Sequence, residues 1–398
     1  MRHFSLALLV LLCACDNGAS STRADASLPA DAAARPADAA GVDAALPADA
    51  AQPADAETPP DAAEEPLDAA SPPDTGVAIG ADLTVTAFDQ TPLYFTGSDN
   101  QRTVDRTASF PTTGAYSRIL LHLTLACPAG GCDPWDRLGW IAAVTSRGQN
   151  GAPDTLVELA RFITPFHVGM SVDVDVTDLR PLLSGDLTLR AFIDTWVGPG
   201  SPYGDGWLLT ASFELTGGVP ARIPAAVIPV WQVALVVYGD PAKPIAGSAP
   251  AQKVSLPAGA TSYALRTLVT GHGQGNADNC AEFCSRDHSL AFTAPHTHQV
   301  WRDDCATTAA PNQQGTYRYS RAGWCPGADV RPWIEDVTAD LAGLSEATLA
   351  YDVEAYENTC RPDASECTGC TLGTACDYDG GAHTEPFYLL SSTLIAYW

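Results

Sequence analysis

From Ala81 to the C-terminus, apolar residues come in short runs broken by Gly, Pro, Asn and Asp. Six such runs are Leu83 to Phe88, Arg118 to Leu125, Val157 to Ile163, Ser171 to Val176, Leu187 to Ile193 and Trp207 to Leu215. Several alternate apolar with polar positions, the two-residue period of a half-buried strand, and no long stretch has a helical period. After Gly217-Gly218-Val219-Pro220 a second set follows: Ala226 to Tyr238, Ser262 to Val269, His288 to Thr293, Ala347 to Tyr356 and Pro386 to Trp398. Many short strands at this spacing predict an all-β protein of two antiparallel sandwiches side by side, over 79–220 and 221–398. In the run from Leu187, the residues Leu187, Leu189, Ala191 and Ile193 share one face, and Arg190, Phe192, Asp194 and Trp196 share the other. A core face is thereby separated from a face carrying an acid and an indole.

Upstream the pattern disappears. Residues 16–78 are nearly all Ala, Asp, Pro, Ser, Glu and Thr, with Pro-Ala-Asp-Ala recurring at 29–32, 36–39, 47–50 and 53–56. Such a segment buries too little apolar surface to offset its ordering entropy, so a disordered linker is expected, with a reach of at most roughly 200 Å at about 3.1 Å per residue. Before it, Phe4 to Ala14 is apolar, too short to span a bilayer but suited to a signal-peptide core. The run ends in Leu12-Cys13-Ala14-Cys15, which resembles a bacterial lipobox, so residues 1–15 are expected to be a lipoprotein signal with lipid on Cys15. The expected location is the bacterial cell envelope, anchored by that lipid only, or outside the cell where the lipobox is not used. A net charge of -26 argues against nucleic acid or anionic lipid as a partner. Twelve cysteines in close groups point to an oxidising compartment.

Candidate chemistry collects beside those cysteines. In Cys127-Pro-Ala-Gly-Gly-Cys132-Asp133-Pro134-Trp135-Asp136-Arg137 a short loop precedes an acid flanked by an indole and a guanidinium. An aromatic face stacks on a pyranose ring while charged groups bond its hydroxyls. Cys280-Ala-Glu282-Phe283-Cys284 encloses a second carboxylate, and Arg321-Ala-Gly-Trp324-Cys325 sets a base and an indole beside a cysteine able to pair with Cys305. The theme of charge plus aromatic beside a cysteine is drawn from both expected sandwiches.

From about residue 83 onward the chain resembles the peptide-N-glycosidase F family, bacterial amidases that remove whole glycans from asparagine. The similar blocks are CDPWDR at 132–137, RFITPFHVG at 161–169, VDVTDLRPLLSG at 174–185, DTW at 194–196, CAEFC at 280–284 and YSRAGWCPG at 319–327. The resemblance implies two adjacent eight-stranded antiparallel jelly rolls with the active site in the cleft between them. It implies catalytic roles for Asp136, Glu282 and Arg321, and a glycan cleft lined by Trp135, Arg137, Asp194, Trp196 and Trp324. It also implies the pairs Cys127–Cys132, Cys280–Cys284 and Cys305–Cys325, and a monomer acting on N-glycoproteins or glycopeptides. Hydrolysing such an amide takes an activated water, a stabilised oxyanion and a proton for the leaving nitrogen, which two carboxylates and an arginine can provide with no metal or cofactor.

The chain departs from the family in three places. Asp194 stands for a glutamate, His272 for a tryptophan, and Phe283 for another tryptophan. Cys360, Cys367, Cys370 and Cys376 lie in an insertion at 358–380 outside the resemblance, where two disulfides of open connectivity are expected rather than zinc. Two other readings are set against the amidase. Copper monooxygenases share the double jelly roll, and His296-Thr-His298 could hold copper on one strand face, but the only methionine besides Met1 is Met170, in the other half. A non-catalytic glycan-binding lipoprotein is the third, disfavoured because binding alone does not need Asp136, Glu282 and Arg321 together.

Overall fold

The computed structural model describes residues 76–276, 279–360 and 383–398. The expected lipoprotein signal with Cys15, the linker as far as residue 75, and Cys367, Cys370 and Cys376 of the insertion lie outside the described residues. At the linker's expected end, Ala78 is already bound to the fold: its carbonyl accepts from Ala115 N at 2.8 Å.

Eight strands come first: β1 (Leu83–Leu93), β2 (Thr103–Phe110), β3 (Tyr116–Ala126), β4 (Leu138–Ser146), β5 (Thr155–Ile163), β6 (Met170–Asp175), β7 (Gly185–Ile193) and β8 (Trp207–Gly217). They form two four-stranded antiparallel sheets, ordered β1-β8-β3-β6 and β2-β7-β4-β5. The next eight are β9 (Pro224–Val237), β10 (Gln252–Ser255), β11 (Ser262–His272), β12 (Arg286–Ala291), β13 (Pro295–Val300), β14 (Trp333–Asp336), β15 (Glu346–Val353) and β16 (Phe387–Tyr397). Their sheets run β14-β11-β16-β9 and β10-β15-β12-β13. The protein is all-β, two adjacent eight-stranded jelly rolls, and its helices among the described residues are single turns.

Alternation builds the two cores. Ile119, Leu121, Leu123 and Leu125 of β3 interlock with Trp207, Leu209, Phe213 and Leu215 of β8 and with Leu189, Ala191 and Ile193 of β7. Each Leu, Ile or Phe among them, fully buried, contributes roughly 1.5–3 kcal/mol. A second core gathers Trp231, Val236, Leu265, Tyr351, Tyr388, Leu390 and Leu394. Strands β4, β5, β11 and β16 instead show unbroken burial, because both of their faces are covered. Such strands lack a two-residue pattern, and β4 was among the elements the hydropathy reading missed. The others were the polar β2 and the short β10, β13 and β14.

The reason for burial on both faces of β5 is the contact between the jelly rolls, which is stitched by charge. Arg161 on β5 donates to both oxygens of Glu158 at 2.8 and 2.6 Å, both side chains being fully buried. Arg161 also reaches the Leu389 carbonyl at 2.5 Å, Thr270 Oγ1 at 3.1 Å and Ser391 Oγ at 3.2 Å, while Ser391 donates back to Glu158. Arg266 of β11 returns the link by donating to the Leu159 carbonyl at 2.9 Å. Val233, at φ 51°, marks an irregular β9–β16 pairing that leaves the Gln232 side chain bonding Glu158 N at 2.8 Å and the Ser392 carbonyl at 2.9 Å. A buried ion pair with all its polar atoms engaged resists sliding, so the loops at the cleft are held in one register.

Candidate active site

Asp136 lies in the turn that enters β4. The disulfide Cys127–Cys132 closes the loop before it. Most of the positioning is done by Asp133, which is fully buried. Its carboxylate accepts from Trp135 N at 3.0 Å, Arg137 Nε at 2.9 Å and Thr195 Oγ1 at 2.7 Å. From the other side Thr164, just past β5, accepts Arg137 N on its hydroxyl at 2.8 Å and donates that hydroxyl to the Trp135 carbonyl at 3.1 Å. Asp136 is thus clamped at both neighbours. Neither Asp133 nor Thr164 was singled out from sequence, although an Asp before a Pro is a recognised turn signal.

Glu282 and Arg321 come from loops of the second jelly roll. Past β11, Glu282 N donates to the Gly273 carbonyl at 3.0 Å, and Ala322 N donates to the Glu282 carbonyl at 2.9 Å, with Cys280–Cys284 closing the turn around them. Gly271 permits this close layering: a Cβ there would lie 2.4 Å from the Ala281 carbonyl oxygen. Arg321 is wholly buried, and its guanidinium is spent in several directions at once. Nη1 donates to the Thr316 and Tyr319 carbonyls, both at 2.9 Å, Nη2 to Thr316 Oγ1 at 2.7 Å, and Nε to Glu282 Oε1 at 3.0 Å. Nη2 also lies 3.8 Å from Asp136 Oδ2, so one fixed cation faces two carboxylates from opposite jelly rolls. The planar fork of arginine suits this many simultaneous acceptors, which an ammonium could not match.

Trp324 requires a correction. The resemblance implied a cleft-lining role, but the indole is 2% exposed. Its Nε1 donates to the Gly271 carbonyl at 2.7 Å, its ring stacks on His272 at 5.6 Å, and the Arg321 guanidinium rests 4.8 Å from its centroid. Trp324 supports the cation from below and has no face to offer a sugar. His272 belongs to the same stack, wedged between Trp324 and Phe387, and burial pushes its imidazole down to about 3.

The electrostatics separate the two acids. The side chains are 23% exposed for Asp136 and 13% for Glu282, open to the surface but mostly stripped of water. Loss of hydration is the first cause that raises Asp136, to about 6, with Asp133 adding repulsion and Arg321 and Arg137 opposing. Loss of hydration likewise leads for Glu282, raised to about 8, with Asp136 repelling it and Arg321 and Gln274 pulling down. At neutral pH the pair is therefore expected to hold one proton between them, with the more strongly raised Glu282 as its favoured seat. Two macroscopic steps should appear in turnover. Activity is expected to rise through pH 6 as Asp136 ionises and to fall through pH 8 as Glu282 loses its proton. A kcat/KM profile flat from pH 5 to pH 9, on the order of those limits, would contradict this assignment.

Around the acids stands an aromatic rim. Trp135 is 41% and Trp196 52% exposed, and Tyr203, absent from the sequence reading, is exposed beside Trp135 with ring centroids 5.7 Å apart. Arg137 lies 5.0 Å over Trp135 while its Nε holds Asp133. Asp194 N donates to the Leu138 carbonyl at 2.9 Å, so Asp194 and Trp196 flank the Asp136 turn. A hollow of about 800 Å³ lies elsewhere, lined by Tyr238, Asp240, Ile245 and Glu354 among others, and none of the site residues borders it.

The other candidates are accounted for as follows. His296 bonds Glu335 at 3.0 Å and Asp340 at 2.9 Å with its two ring nitrogens, which takes it from the copper reading, and His298 stacks on Trp333. Asp304, Cys305 and Cys325 lie close together, but the two sulfurs form a disulfide and are no longer thiolate ligands. Cys360 is buried and disulfide-bonded.

Residues 245–368 match the family model described as peptide-N-glycosidase F, C terminal. A relative from Elizabethkingia miricola, named peptide-N(4)-(N-acetyl-beta-D-glucosaminyl)asparagine amidase F, is 28% identical over 333 residues, 79% of this chain and 84% of the relative. The solved structure of PNGase F, a glycosylasparaginase from Flavobacterium meningosepticum, superposes with a TM-score of 0.64 at 26% identity, over 80% of this chain and 96% of that one. PNGF-II, at 18% identity and a TM-score of 0.59 over 79% of this chain and 65% of that one, shares the fold.

Proposed function

The chain belongs to the peptide-N-glycosidase F family, and we propose that it hydrolyses the amide joining an asparagine side chain to the first N-acetylglucosamine of an N-glycan. The observation that carries this is Arg321, 3.0 Å from Glu282 and 3.8 Å from Asp136. Water attacks the amide carbonyl carbon and the C–N bond breaks. Ionised Asp136 takes the proton of the attacking water and delivers it to the leaving nitrogen, which departs as the glycosylamine. Protonated Glu282, with the charge of Arg321 behind it, orients the water and polarises the carbonyl as negative charge develops. Asparagine becomes aspartate and the glycan leaves whole. Trp135, Trp196 and Tyr203 supply ring faces for sugars, with Arg137 and Asp194 at their edges.

Several finer readings rest on sequence. The Leu12-Cys13-Ala14-Cys15 motif supports a lipid-anchored envelope protein, and the composition of residues 16–78 supports a spacer that lifts the enzyme from the membrane. The two jelly rolls are assigned to 79–220 and 221–398, acting as a monomer. A glycopeptide incubated with the full chain and weighed should exchange its whole NH-linked glycan for OH, leaving aspartate on the peptide and releasing the glycan as the glycosylamine. Glycan retained on an unchanged peptide would instead favour the binding lipoprotein.

A further inference from the structure

Arg102 belongs to none of the motifs discussed above, yet the loop between β1 and β2 is built to place it. Tyr94 OH donates to Asp99 Oδ2 at 2.6 Å, Gln101 Nε2 donates to Asp99 Oδ1 at 2.8 Å, and Asn100 Oδ1 accepts Arg102 Nε at 3.0 Å. The loop is also laced to the end of β7. Ile193 N donates to the Arg102 carbonyl at 3.0 Å, and Phe95 N donates to the Val197 carbonyl at 2.9 Å. There Arg102 Nη1 bonds Asp194 Oδ1 at 3.1 Å, and its guanidinium carbon lies 4.3 Å from the Trp196 ring centroid and 4.9 Å from that of Phe95. Trp196 therefore has the cation against its ring and Phe95 edge-on at 5.2 Å, and remains 52% exposed.

We propose that Arg102 is a specificity-determining residue that reads, together with Asp194, the acetamido group of the N-acetylhexosamine lying against Trp196, a proposal that rests on the amidase reading. Nη2 of Arg102 makes no hydrogen bond among the described residues, and Asp194 uses only Oδ1 in its ion pair. The ion pair thus keeps one donor, Nη2, and one acceptor, Oδ2, unused among the described residues. An acetamido group offers the complement, a carbonyl oxygen beside an N–H, whereas a hexose hydroxyl at that carbon has only one atom to share between them. Asp194 is shorter than the glutamate that it replaces, and the Arg102 fork extends the polar edge of the site toward the sugar. A site built around paired polar groups penalises a ligand that leaves them unmatched.

The test compares the full chain with Arg102→Met and Arg102→Lys, by glycopeptide kinetics and by titration with N,N′-diacetylchitobiose. Arg102→Met keeps the stem but removes the donors, and is expected to raise KM and weaken chitobiose by about tenfold, with kcat changed by less than about threefold. Arg102→Lys should recover part of the loss. Chitobiose affinity within about twofold of the unaltered chain for Arg102→Met would overturn the proposal, as would a KM rise matched by an equal fall in kcat and in thermal stability. Should the unaltered chain bind chitobiose but cleave no glycopeptide, the amidase reading fails while the titration still decides the role of Arg102.

Discussion

Asp136→Asn is expected to lower kcat by about a thousandfold or more, because it removes the group assigned to carry a proton between water and leaving nitrogen. The substitution is close to isosteric and the turn is held by Asp133 and Thr164, so the fold should survive. A sign check on stability separates lost chemistry from lost structure. The folded-state value of Asp136, about 6, stands above its ordinary one, so its protonated form is favoured by folding and that stabilisation is lost as pH rises through 6. An amide never ionises. At pH 8 the variant should therefore unfold at the same or a higher temperature than the parent while turning over at a trace of its rate. Full activity in Asp136→Asn, or inactivity accompanied by a marked fall in melting temperature, would count against the assignment.

Glu158→Ala is expected to destabilise the protein by about 3–5 kcal/mol in urea unfolding, the usual cost of stranding one half of a buried ion pair. Arg161 would keep the Leu389 carbonyl, Thr270 and Ser391 but lose its carboxylate partner, at a site with no exposure. Replacing both partners together, Glu158→Leu with Arg161→Met, should recover most of the loss, since two apolar chains leave no uncompensated charge. A cost below about 1 kcal/mol for the single change would show that the pair is not what holds β5 against β11 and β16. Such loosening should also depress kcat, because Asp136 and Glu282 approach Arg321 from opposite jelly rolls.

Period-two alternation made β3, β7 and β8 visible, since each buries one face against its own core and leaves the other toward solvent. Even the faces of β7 were legible: Leu189, Ala191 and Ile193 are buried and Arg190 and Phe192 are not fully so. Where both faces are covered, as in β4, alternation vanishes and only length and β-branching remain as signals. The short motifs with cysteines drew attention to Asp136, Glu282 and Arg321 before any geometry was known. They could not reveal Asp133, Thr164 or Tyr203, whose importance lies in partners 29 to 68 positions away: Thr195 for Asp133 at 62, Trp135 for Thr164 at 29, and Trp135 again for Tyr203 at 68.

By itself the sequence determined what is local: which segments are strands, which face of each is apolar, and which loops carry an acid beside an aromatic and a cysteine. Local signals suffice there because pleat, turn and short disulfide loop depend on neighbours a few residues apart. Tertiary structure decided which groups meet and in what state of charge. Trp324 reads in sequence like any other indole near a site, and only its burial beneath Arg321 makes it a support instead of a sugar platform. Asp136 and Glu282 are 146 residues apart in the chain by subtraction of their numbers, and their shared proton exists only because packing strips both of water around one immobilised guanidinium.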